Sequence, residues 1–304
     1  MKKENVGLLL GCIGVILFSL TLLTTNVAVP YFGATIVGLG RTVIAAIIVG
    51  IVFITRKEKL PSRSQFKSIV IVAFGAVLAF PLLTSWAMKS LPVSHGAIET
   101  ALLPLATAGM AAIRAGERPS ARFWIASLIG CGTVIVYASQ LGIGGFQWAD
   151  IALLAAVIIL GLSYAEGGKL SKEIGSWQVI AWAIVVGAPF FIIPIAMQFS
   201  AEMLKAPIEA WISLLYLAIV SQFLAYVAWY GGMAMGGIAR VSQLQYLQPF
   251  LMIVFAALLL GESISTFTIV TAVIVVCSVF IGKGSKIKQK QNSMGKPEQI
   301  ISNE

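Results

Sequence analysis

The sequence predicts an all-α integral membrane protein of ten transmembrane helices, built as two inverted five-helix repeats with both termini cytoplasmic. Three observations carry that prediction. Of 304 residues, 59% are hydrophobic and 11% are charged, whereas an ordinary soluble domain carries about 25% charged residues. Apolar stretches of about 20 residues, the length that crosses the hydrocarbon, follow one another with short connections. A set of residues also recurs at a fixed spacing of 145 positions. Hydrocarbon gives the backbone no outside partner, so each apolar stretch must satisfy its own amides and carbonyls as a helix.

The spans are expected at 6–25, 32–54, 68–88, 95–113, 122–140, 149–168, 178–199, 210–232, 239–260 and 264–282. Turn-forming or charged segments separate them: Asn26 to Pro30, Thr55 to Lys67, Leu91-Pro92, Gly142 to Gly145 and Ser200 to Pro207. Residues 1–145 form the first repeat and 146–282 the second. The lysine-rich residues 283–304 are expected to be a disordered, basic cytoplasmic tail.

Charge tests the topology independently of hydropathy, because Lys and Arg in short loops stay on the cytoplasmic side. With the N-terminus inside, 18 of the 21 basic residues fall in inner segments, from Lys2-Lys3 through Arg56 to Lys67, Arg114 to Arg122, Lys169, Lys172 and Arg240 to the tail. The outer segments hold Lys89 and Lys205, and Arg41 lies inside the second span. The net charge of +9 is therefore an inner-face bias that suits anionic lipid headgroups, and it requires no nucleic acid.

Lys2-Lys3 before an apolar run resembles a signal peptide, and Leu9-Leu10-Gly11-Cys12 resembles a lipoprotein cleavage site. Neither is expected to be processed, because no A-x-A site follows and the repeat needs this first helix. Cys12, Cys131 and Cys277 fall inside predicted helices without metal-ligand spacing and read as packing residues. The chain has one His and lacks G-x-S-x-G, H-E-x-x-H and Walker-type sequences. No catalytic residue, metal or cofactor is expected, and the chain is not read as an enzyme.

The repeat is the most informative feature. Pro104, Ala111, Ala112, Gly116, Glu117 and Ser120 recur as Pro249, Ala256, Ala257, Gly261, Glu262 and Ser265. Five helices per half is an odd number, so the second half enters the membrane from the opposite side. That is the inverted-repeat architecture in which two halves enclose a site near the midplane.

The doubled pattern Pro104…Gly116-Glu117 and Pro249…Gly261-Glu262, with Arg41 followed by Ala45-Ala46 in the second span, resembles the EamA type of the drug/metabolite transporter superfamily. The resemblance covers residues 6–282. It implies a secondary transporter in which helices one to four and six to nine line a central cavity and helices five and ten stand outside it. The first helix reads Leu17-Phe18-Ser19 where many relatives have Trp-Gly. Proteins of that type carry amino acids, nucleotide precursors, drugs and other metabolites, so the resemblance leaves the substrate open.

Candidate substrate-binding residues are those that hydrocarbon disfavours. An Arg near a helix centre costs about 2.5–3.5 kcal/mol on insertion scales, so Arg41 must face the bundle and find a partner. Glu99 is the expected partner. His95 and Glu99 share a helix face and form either a proton- or substrate-responsive cluster or a structural ion pair with an interfacial His. In helix nine, Ser242, Gln243, Gln245, Tyr246 and Gln248 precede Pro249. Gln245 and Gln248 lie on one face, where they contact a polar ligand or bond a neighbouring helix. Trp86, Tyr164 and Tyr230 are the aromatic candidates, while Trp124, Trp148, Trp177 and Trp211 read as interface anchors. Glu166 is a gate or the cytoplasmic boundary of helix six. Glu117 and Glu262 read as structural, capping the amides of the helix that follows each.

The sequence thus points to alternating-access transport in the cell (inner or plasma) membrane. The partners are a small-molecule substrate, the lipid bilayer, a proton as candidate coupling ion and a candidate homodimer mate. Export of amino acids or similar amphipathic solutes is the first reading. Import of a nutrient or metabolite, a non-transporting receptor and a membrane-embedded enzyme are the alternatives.

Overall fold

Helical backbone dominates the computed structural model, which describes residues 3–87, 93–139, 148–260, 266–283 and 287–289. The helical segments are α1 (Lys3–Thr25), α2 (Val27–Arg56), α3 (Arg63–Leu83), α4 (Val93–Arg114), α5 (Ala121–Ser139) and α6 (Trp148–Ile174). They continue with α7 (Ser176–Gly187 and Pro189–Gln198), α8 (Ile208–Gly236), α9 and α10 (Thr266–Lys283). The α9 segment is composite, running through Ile238–Ser242, Gln243–Leu247 and Gln248–Leu260. Among the described residues five helices are long and apolar enough to cross a bilayer. Bent by 53° at its break, α7 makes a sixth if it is one span, and Leu102–Arg114, Ala121–Tyr137 and Thr266–Gly282 are shorter apolar helices.

Local chemistry sets several boundaries. Ser62 starts α3 with a reciprocal capping box, its hydroxyl accepting from the Gln65 amide while the Gln65 side chain accepts from the Ser62 amide. Lys57, at φ 50°, ends α2 in a left-handed cap. Three spans contain π-helical turns, at Ile36–Gly40 in α2, Ala73–Ala79 in α3 and Tyr216–Leu224 in α8. Shifted by the 145-residue spacing, the turn in α3 falls on positions 218–224, inside the turn in α8. The same backbone irregularity therefore recurs at corresponding places in the two halves.

Apolar character does not distinguish inside from outside here. Ile54, Ile193, Met197 and Leu258 are at least 70% exposed, whereas Ser19, Thr42, Thr107, Ser163 and Gln222 are buried. Without a hydrophobic drive between helices in lipid, close approach of small residues supplies the attraction. The crossing of α1 and α8 is built this way from Gly7, Gly11 and Gly14 against Gly232 and Gly236. A Cβ added to Gly232 would lie 2.7 Å from the Gly11 amide nitrogen and 2.8 Å from the Gly7 carbonyl.

The largest buried cluster joins α1, α2, α3, α4, α6, α7, α8 and α9. A second holds Phe32 of α2 against Trp211 of α8, and a third packs α5 with α9 and α10. Within the tail expected to be disordered, Ile287–Gln289 pairs antiparallel with Glu117–Pro119, with Arg118 opposite Lys288. The loop offers an open strand edge, which the tail satisfies.

Candidate functional site

The face of α8 that turns inward carries Gln222, Tyr226, Trp229 and Tyr230, at the i, i+4, i+7 and i+8 positions that share one side of a helix. Tyr164 of α6 meets this face at ring-centroid distances of 6.2 Å from Tyr226, 5.6 Å from Trp229 and 6.3 Å from Tyr230. Phe18 of α1 closes the group, 5.0 Å from Tyr226 and 6.4 Å from Trp229, edge to face in both cases. The tyrosines and Trp229 are each at most 6% exposed. Gly167 makes the packing of α6 on α8 feasible, because a Cβ there would run into the Tyr230 ring and lie 2.9 Å from its hydroxyl.

Polar side chains enter the ring cluster from three helices. Arg41 of α2 lies within electrostatic reach of the Tyr226 hydroxyl. Tyr164 lies within reach of the Tyr226 hydroxyl and of the side chain of Gln245 from α9. Tyr230 sits beside Ser163, which donates to the Val72 carbonyl at 3.2 Å. Five buried atoms here make no hydrogen bond among the described residues: Arg41 Nε, Gln222 Nε2, Trp229 Nε1, the Tyr230 hydroxyl and Gln245 Oε1. Unmade hydrogen bonds are costly in a low-dielectric interior. These atoms consequently have donor and acceptor capacity to offer a solute or water.

Backbone irregularity coincides with this chemistry. Arg41 follows the π turn of α2, Gln222 lies in that of α8, and Gln245 stands in the 3₁₀ turn Gln243–Leu247 of α9. Such turns inside longer helices concentrate at functional sites.

Of the residues singled out from the sequence, Arg41, Tyr164, Tyr230 and Gln245 are therefore brought together. Gln248 follows the 3₁₀ turn and is partly buried. Tyr246 belongs to another cluster, donating to the Ser127 carbonyl at 2.9 Å and packing with Cys131, Tyr137 and Phe250. The side chains of Trp86, His95 and Glu99 lie outside the described residues, as do Gly261 and Glu262. Phe18, Gln222, Tyr226 and Trp229 complete the cluster without having been chosen. For Gln222 a signal existed, since an amide four positions before Tyr226 in an otherwise apolar run demands a partner.

One end of the bundle is tied by carboxylates. Glu4 of α1 accepts from Arg240 of α9 at 2.7 Å. Glu166 of α6 accepts from Arg114 of α4 at 3.0 Å and from Ser68 of α3 at 2.6 Å. Glu117, 1% exposed, accepts from the amides of Ile238 and Ala239 at 2.8 and 2.9 Å. Its capping role was expected toward the following helix, α5. The amides it caps instead open α9, because Gly116 at φ 68° turns the carboxylate toward α9. Pro104 and Pro249 are both buried inside their helices, and the Pro104 carbonyl accepts from Ser242 at 3.4 Å.

A separate groove of about 170 Å³ between α1, α9 and α10, lined by Leu8, Leu244, Leu247 and Phe280 among others, is almost wholly apolar. It offers a polar solute little. Among the described residues no group of three or more His, Cys, Asp or Glu could hold a metal ion.

Comparison with known proteins adds an independent line. The model of the EamA-like transporter family matches twice, over residues 5–139 and 147–282. The chain is 38% identical over 265 residues to "Uncharacterized transporter YdeK" of Bacillus subtilis, covering 87% of this chain and 92% of that one. It is 22% identical over 241 residues to a "Probable terminal-alkyne amino-acid exporter" of Streptantibioticus cattleyicolor, covering 78% and 80%. A crystal structure at 17% identity superposes with a TM-score of 0.76 over 91% of this chain and 96% of that chain. At that identity the likeness concerns the fold.

Proposed function

Because this chain belongs to the EamA-like transporter family, we propose that it is a secondary transporter of small metabolites in the cell membrane. In this reading ten spans cross the bilayer as two inverted halves with cytoplasmic termini, and the solute binds in the ring cluster between them. The five buried polar atoms that make no hydrogen bond among the described residues carry the proposal, because they belong to helices that meet at the buried ring cluster. In this reading the rings packed on one another close the site. Moving α8 or α9 relative to α1 and α6 would open it to one side at a time.

The solute is a small amphipathic molecule such as an amino acid. A guanidinium suits a carboxylate, the Gln222 and Gln245 amides suit polar groups, and the rings suit an apolar body or stack on a cation. Export is the preferred direction, supported by the likeness to the S. cattleyicolor protein named as an amino-acid exporter. A thermal-shift screen of purified protein against metabolites, followed by counterflow in proteoliposomes, tests the reading. A transported solute at about 100 times its Kd stabilises the fold by about 2.7 kcal/mol and shows saturable exchange. Flux without saturation would point to a channel, and chemical conversion of the solute to an enzyme.

A further inference from the structure

We infer that Glu117 is the latch of the cytoplasmic gate, holding α9 of the second half closed against the first half until the transport cycle releases it. The inference rests on the alternating-access reading above and goes beyond it by assigning a gating role to a residue outside the ring cluster.

The contact has the construction of a latch between halves. A local helix cap would serve α5, which begins at Ala121, but Glu117 reaches amides 121 and 122 positions away. Both sides of the contact depend on glycine, Gly116 at φ 68° delivering the carboxylate and Gly237 at φ 89° aiming the first amides of α9 at it. Those amides have no intrahelical acceptors, and the carboxylate meets the positive end of the helix. Glu117 is buried, whereas the neighbouring Glu4–Arg240 pair is 31% and 13% exposed at its side chains. Solvent screens that pair more strongly, which leaves Glu117 as the firmer hold.

The rest of α9 explains why this end matters. Beyond the latched start, Gln243 donates to the Ser127 hydroxyl at 2.8 Å and Tyr246 to the Ser127 carbonyl at 2.9 Å. These ties pin the 3₁₀ turn to α5, while Gln245 of the same turn reaches toward Tyr164 in the ring cluster. With the middle of α9 pinned, release of Ile238 and Ala239 swings the segment Ile238–Ser242 away from α4. The ring cluster then opens toward that end. Glu117 is accordingly a positioning residue that acts on the solute through α9.

Ser242→Cys reports on the gate, because Ser242 is fully buried one turn into α9. With Cys12 and Cys277 replaced by Ala, buried Cys131 remains as an internal monitor of the fold. An impermeant maleimide is applied to the cytoplasmic face in inside-out vesicles and to the outer face in right-side-out vesicles. Glu117→Gln is expected to raise labelling of Ser242→Cys from the cytoplasmic face at least about tenfold with Cys131 unchanged, and Glu117→Asp is expected to restore part of the protection. Equal gains at both cysteines would mean general loosening and overturn the latch. So would an unchanged rate at Ser242→Cys, or a gain from the outer face alone.

If the Glu117 variants do not accumulate, residue-resolved hydrogen exchange on the unmodified chain decides. The Ile238 and Ala239 amides should exchange through a local opening, well before the Val241 amide, which bonds the Gly237 carbonyl at 3.0 Å. Protection of all three to the same extent would overturn the inference. Counterflow with a static Glu117 would keep the transport reading and remove the latch, whereas a working latch without counterflow of any metabolite would do the reverse.

Discussion

Replacing Gln245 by Leu separates a solute contact from interhelical glue, because the geometry predicts opposite signs for the two. Its side chain lies within reach of Tyr164, which also has Tyr226 beside it, so the tyrosine keeps a polar neighbour when the amide is removed. An interhelical hydrogen bond between Gln245 and Tyr164 would be worth about 0.6 kcal/mol by the average for membrane helices. Against that stands relief of Gln245 Oε1, buried without a partner among the described residues, at about 1–3 kcal/mol for an unsatisfied group. Gln245→Leu should therefore leave the melting temperature of the unliganded protein unchanged or raise it. If the amide contacts the solute, binding weakens by about 1–3 kcal/mol, roughly 5- to 150-fold. At a solute concentration of about 100 times the wild-type Kd, stabilisation should then fall from about 2.7 to between roughly 1.8 and 0.3 kcal/mol. Thermal unfolding of detergent-purified protein with and without a solute from the screen measures both quantities. A lower unliganded melting temperature with an undiminished solute shift would refute the reasoning and place Gln245 among the packing residues.

Three further outcomes are expected. Cysteine at the exposed Lys57 should resist an impermeant thiol reagent in intact cells and cysteine at the exposed Lys205 should react; labelling of Lys57 from outside would sink the proposed topology. Arg41→Ala should impair transport and Arg41→Lys partly restore it, with Glu99→Gln giving a related defect. Strict additivity in the double variant would show that Arg41 and Glu99 do not interact. Gly232→Val should destabilise the fold by about 1–3 kcal/mol or more, because its Cβ meets the main chain of α1. Equilibrium unfolding in mixed detergent micelles checks this, and wild-type stability would contradict the close α1–α8 crossing.

The sequence determined what lies along the chain. Composition, spacing of apolar stretches and the 145-residue recurrence do not depend on which helices touch. Helical structure could therefore be read directly, and the transporter family entered through the motifs set on that recurrence. The π turn at corresponding places in α3 and α8 agrees with the recurrence. Arg41, Tyr164, Tyr230 and Gln245 were legible for a related reason, since a polar or bulky aromatic group in an apolar span must find company wherever it points.

Which company each found was decided by the tertiary structure. Gln245 and Tyr246 are adjacent in sequence, yet one reaches toward Tyr164 and the other bonds the Ser127 carbonyl. Glu117 passes over the neighbouring α5 to cap α9. In water a burial pattern would have marked the inward face of each helix. In lipid both faces are apolar, as the exposed Ile54 and buried Val49 of α2 illustrate, so periodicity loses its power to orient a helix. Orientation is instead set by where glycines let backbones touch and where polar groups meet across helices, and both are properties of the assembled bundle.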